Sequence, residues 1–111
     1  MTVTELKPKI ENTVEFNFLN QKKVPTEFGC YVISNFNNEI MYIGKATSLK
    51  NRFTNHLDAP EKNKTTKIGK AYWFSYRICK NEFEISKLER GWLNEYELEN
   101  GGLPIFNKIH A

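Results

Sequence analysis

Two tyrosines, an arginine and a histidine stand close together in the stretch GCYVISNFNNEIMYIGKATSLKNRFTNHL, residues 29–57, and each brings a different chemical capacity. The phenols of Tyr31 and Tyr42 titrate near pH 10 in water. A nearby cation such as Lys45 lowers that value and turns a phenol into a base or a strong hydrogen-bond donor. Arg52 offers a planar fork of donors that suits a phosphate or a carboxylate. His56 follows four residues later, and a histidine beside an arginine is discouraged from holding a second proton, so it suits an acceptor or general base. The bland readings stand beside these: strand tyrosines usually pack into cores, and an arginine–histidine margin pairs with a nearby acid.

A carboxylate joins them from farther along the chain. The run NEFEISKLERGWLNEYELENGG reads as a long helix with Asn81 as its N-cap, Glu82 and Glu84 near the positive end of the dipole, and Gly101 as its stop. At about 100° per residue, Leu88, Trp92, Leu93 and Tyr96 fall within roughly 80° of Ile85, while Lys87, Arg90, Asn94 and Glu97 fall opposite. Glu89 lies inside the apolar arc and Glu95 just outside its edge. A buried ionised carboxylate costs several kcal/mol unless it is paired or bound to a metal. Glu89 therefore requires a cation, either Arg52 or Arg77 in a structural salt bridge, or a metal ion.

The elements that must position these groups are legible in outline. FGCYVIS and EIMYIG flank the turn-rich NFNN and predict an antiparallel hairpin. In ATSLKNRFTNHL the spacing of Leu49, Phe53 and Leu57 predicts a short amphipathic helix capped by Thr47 or Ser48, with Arg52 and His56 along one margin of its apolar stripe. DAPEKNKTTKIGK reads as a loop, AYWFSYRIC as a central strand, and LPIFNKIHA as a tail too short for an element of its own. Residues 1–27 are ambiguous: TVEFNFLNQ alternates like an edge strand, whereas TELKPKIENTVEF also fits a broken helix. The order predicts an α+β domain, a small three-stranded antiparallel sheet flanked by helices.

A chain of 111 residues with 40% hydrophobic and 14% aromatic residues fits one small globular domain with one modest core. No run approaches the roughly 18 apolar residues of a membrane span, and the start MTVTELKPKI carries charges where a secretory signal has its apolar region, so a cytoplasmic protein is expected. Cys30 and Cys79 lack the spacing of a zinc or redox site and are expected as buried free thiols. The net charge of +3 is small but uneven. Residues 44–70 hold Lys45, Lys50, Arg52, Lys62, Lys64, Lys67 and Lys70 against Asp58 and Glu61. That excess is either a phosphate-tracking surface or a solvated lysine-rich loop.

Taken together, GCY, ten intervening residues, YIG, then Arg52, His56, Glu89 and Asn107 in that order resemble the GIY-YIG nuclease family, over Phe28 to Lys108. Cys30 replaces the middle isoleucine of the first triplet, an apolar position without chemistry. The resemblance implies a domain over residues 28–111 preceded by an extension of unsettled structure over 1–27, and a divalent-metal-dependent DNA endonuclease. It implies Glu89 as the single protein ligand of Mg²⁺ or Mn²⁺, Tyr31 as general base, Arg52 as stabiliser of the phosphoryl oxygens, and Tyr42 and His56 as holders of phosphate and water. Gly44, Lys45 and Asn107 would border the substrate, and Lys62, Lys64, Lys67 and Lys70 would meet the DNA backbone. Larger members carry a separate DNA-binding domain, so selectivity here is expected from loops, a homodimer or a partner protein. A binding module that keeps the fold without cutting, and an unrelated α+β protein whose YWFSY stacks RNA bases, are the alternatives.

Overall fold

In the computed structural model, which describes residues 1–109, the two β-rich runs around NFNN form the expected hairpin, β2 (Gly29–Ser34) and β3 (Ile40–Ala46). Its turn closes because the Asn35 Oδ1 accepts from the amides of Asn37 at 3.0 Å and Glu39 at 2.9 Å, and Asn38 takes the left-handed conformation with φ 66°. Tyr31 pairs with Gly44 and Ile33 with Tyr42. Side chains alternate along a strand. Tyr31, Ile33, Tyr42 and Gly44 therefore share one face, and Cys30, Val32, Ile43 and Lys45 the other.

On its far side β2 pairs with β4 (Trp73–Ile78), as a central aromatic strand should. A further strand, β1 (Asn12–Glu15), then pairs with β4, so the sheet has four strands in the order β1-β4-β2-β3. The expected three-stranded sheet is thus one strand short. β1 covers the backbone groups that β4 would otherwise present along an open edge.

The helices pack on opposite faces. On the tyrosine face, α1 (Leu49–Leu57) starts where the Ser48 hydroxyl accepts from the Asn51 amide at 3.3 Å, and it buries Leu49 and Phe53 against Tyr31, Phe16, Phe74 and Phe106. It approaches closely because β2 begins with glycine: a Cβ on Gly29 would lie 2.6 Å from both Leu49 Cδ1 and the Arg77 carbonyl oxygen. On the other face, α3 (Glu82–Asn100) is capped by Asn81, whose side chain accepts from the Glu84 amide at 2.9 Å, and it ends at Gly101 with φ 75°. Its Ile85 and Trp92 bury against Cys30, Val32 and Ile43. The stretch expected as plain loop contains a one-turn helix, α2 (Pro60–Asn63). Proline suits its first position, and the Asn63 side-chain amide donates to the carbonyls of His56 at 3.1 Å, Leu57 at 2.9 Å and Ala59 at 2.7 Å.

Cys30 and Cys79 are buried free thiols, and burial pushes both above the ordinary cysteine range. No helix among the described residues is long and apolar enough to cross a membrane. The first 27 residues lie against the rest: Val3 and Leu6 pack in the α3-side core, and Phe16 and Val24 in the α1-side core. Leu6 is fully buried, so Leu6→Ala is expected to cost about 2–5 kcal/mol in urea unfolding. A cost under about 0.5 kcal/mol, the range of ordinary surface substitutions, would show that this segment adds nothing to the fold.

Candidate active site

β3 is the edge strand on the side away from β1, and the two faces of the sheet meet around it. From the α1 face come Tyr31, Tyr42, Arg52 and His56. From the α3 face come Lys45 and Glu89. Arg52 links the sets, because its guanidinium interacts with both phenols and with the Glu89 carboxylate.

Tyr31 is fully buried, its ring stacked on Phe74 at 5.0 Å, and its hydroxyl lies 2.6 Å from His56 Nε2. The hydroxyl donates when that nitrogen carries its lone pair, which places the imidazole proton on Nδ1. Burial pushes the Tyr31 phenol well above the usual tyrosine range, Tyr42 beside it adds to the effect, and Arg52 opposes it. Tyr42, whose ring centroid is 6.0 Å from that of Tyr31, is raised by burial and pulled back by Arg52. Arg52, rather than Lys45, is therefore the cation that opposes the rise of both phenols. Lys45 lies on the other face with its Nζ 3.2 Å from Ser86 Oγ, and its field acts on Glu89.

Glu89 is half-buried, and burial raises its carboxyl above the usual range while Lys45 and Arg52 pull it down. Arg77, considered as its partner, is held elsewhere: it lies 3.7 Å from Glu11 and donates to the Lys9 carbonyl at 3.0 Å. The ion pairs seen within 4.0 Å among the described residues, Arg77–Glu11 and Lys62–Glu61, do not include Glu89. One carboxylate in a partly dry setting with cations at a distance fits a hard divalent ion that keeps several waters.

Gly44 is required by space. A Cβ there would lie 2.6 Å from both Cζ and Oη of Tyr31 and 2.8 Å from Cε2 of Tyr42. Asn107, expected at the substrate, uses its amide on the backbone: Oδ1 accepts from the Ile43 N–H and Nδ2 donates to the Ile43 carbonyl, each at 2.9 Å. The four loop lysines divide. Lys64, Lys67 and Lys70 are exposed, whereas Lys62 is 1% exposed and sits beside Tyr42. Phe74 and Phe106, which wall the tyrosines in, were read only as strand and tail apolar residues. A cavity of about 510 Å³ lined by Pro8, Arg77, Cys79 and Leu88 contains none of the site residues.

The chain matches known proteins in sequence and in fold. The family model for the GIY-YIG catalytic domain matches residues 27–101. Among solved structures, the GIY-YIG N-terminal endonuclease domain of UvrC from Thermotoga maritima superposes with a TM-score of 0.57 and 25% identity, covering 82% of this chain and 97% of that one, as a tyrosine-to-phenylalanine mutant bound to its catalytic divalent cation. The same domain bound to magnesium superposes with a TM-score of 0.58 and 24% identity, covering 80% of this chain and 92% of that one.

Two outcomes follow from the packing of the tyrosines. Gly44→Ala is expected to stay folded while displacing the phenols, seen as shifted Tyr31 and Tyr42 ring resonances in NMR; unshifted rings would mean the strand absorbs the methyl group. The second concerns alkaline pH. Tyr31 holds its proton to a higher pH in the fold than in the unfolded chain, so its contribution to stability is complete below about pH 10 and is lost as pH rises above it. Urea unfolding of wild type should therefore lose stability more steeply above that pH than Tyr31→Phe, and parallel curves would remove the buried phenol as the cause.

Proposed function

We propose, from the premise that this chain belongs to the GIY-YIG family, that it is a divalent-metal-dependent DNA endonuclease hydrolysing phosphodiester bonds. The observation that carries the reading is the buried Tyr31–His56 hydrogen bond of 2.6 Å beside Arg52, opposite the half-buried Glu89. A phenol raised by burial is a poor base alone. Coupled to an imidazole acceptor it takes a proton from water as it hands its own to His56 Nε2, so no net charge accumulates on the oxygen. Arg52, exposed on its outer side and acting electrostatically on both phenols, meets the growing charge on the phosphoryl oxygens. Tyr42 would hold a phosphate oxygen.

Glu89 would hold Mg²⁺ or Mn²⁺, with Lys45 balancing the carboxylate from behind. When bound, such an ion supplies Lewis-acid stabilisation of the scissile phosphate and the leaving 3′ oxygen. The exposed Lys64, Lys67 and Lys70 provide charge for the DNA backbone, a contact that positions without reading sequence. Choice of cleavage site then falls to the loops, a second copy or a partner protein.

The test is incubation of the purified protein with supercoiled plasmid, branched DNA and single strands, each with Mg²⁺, Mn²⁺ or chelator. Wild type should cut at least one substrate with metal and none with chelator. Glu89→Gln should lose on the order of 10²-fold or more in rate while still binding DNA. Binding without cleavage under every metal would favour the non-cutting binding module instead.

A further inference from the structure

A lysine at 1% exposure is rare, because an ammonium gives up its hydration on burial. Lys62 is placed there by construction. Asn63 ties α2 back onto the last carbonyls of α1, and this turn aims the Lys62 side chain inward. Its Nζ sits 4.9 Å from the centroid of the Tyr42 ring and 6.0 Å from that of Phe106. The Glu61 carboxylate is 3.9 Å away on a side chain that is 39% exposed, and the like charge of Arg52 also reaches it.

We propose that Lys62 is a positioning residue for Tyr42. Its ammonium against the ring fixes the orientation of the phenol and draws electron density from it, which strengthens the Tyr42 hydroxyl as a donor toward a phosphate seated at Arg52. At 1% exposure Lys62 acts on the substrate through Tyr42 rather than by touching it. The role rests on the endonuclease reading above.

The experiment compares kcat, KM and Tm of wild type, Lys62→Met and Lys62→Arg on a DNA that wild type cuts, and repeats Lys62→Met in a Tyr42→Phe background. Lys62→Met should keep or raise Tm, leave KM near wild type, and lower kcat by up to about 10²-fold, as small misplacements of a reacting group do. Lys62→Arg should restore much of the loss, and in the Tyr42→Phe background Lys62→Met should cost little more. Should Lys62→Met fail to fold, Lys62→Gln serves the same comparison. An unchanged kcat, a rise in KM alone, or an equal loss with and without the Tyr42 hydroxyl would overturn the role. A wild type that cuts no DNA would instead sink the endonuclease reading, so the two failures are distinguishable.

Discussion

A hydroxyl and an imidazole nitrogen meet 2.6 Å apart in the interior of this protein, and much of the architecture serves to keep them there. Neither group tolerates burial without a partner. The bond satisfies both, but only if β2 and α1 hold a fixed separation. Gly29 permits that separation, Leu49 and Phe53 fill it, and Phe74 stacks on the ring so that the phenol has one direction in which to point. The same contacts that stabilise the fold thus fix the direction of this hydrogen bond. Preorganised groups do not have to reorganise when charge develops.

The edge position of β3 explains how residues from opposite faces of a sheet belong to one site. Around a central strand, side chains on the two faces are separated by the sheet itself and by the strands that flank it. At an edge no further strand lies beyond, and the charges of Arg52 and Glu89 act on each other. Gly44 lies on this edge strand, where a side chain would strike both tyrosines. One glycine therefore serves the core and the site together.

What could be read from sequence followed the range of the signals. The long helix was legible because its caps, Asn81 and Gly101, and its apolar period are local, and the phase that placed Glu89 inside the apolar arc agrees with its half-burial. The hairpin was legible for the same reason. β1 stayed ambiguous because its partner is distant: Thr13 meets Ser75, 62 residues on. Arg77 stayed open as one alternative partner for Glu89 because Glu11 and Lys9, which hold it, lie in that same unplaced segment. Lys62 was grouped with its neighbours by composition. The Asn63 side chain, donating to carbonyls four to seven residues back, folds α2 onto the end of α1, and Lys62 there is buried while Lys64, Lys67 and Lys70 remain in solvent.

The amide of Asn107 imitates a peptide group, offering one donor and one acceptor to Ile43 as a neighbouring strand would, while the Phe106 N–H takes the Met41 carbonyl at 2.8 Å. An exposed strand edge invites another chain to add itself by backbone pairing, the first step of sheet-mediated aggregation. The tail closes that opportunity along the middle of β3 using three hydrogen bonds rather than a strand. Phe106 and Asn107 thus take the part of an edge strand over Met41 and Ile43.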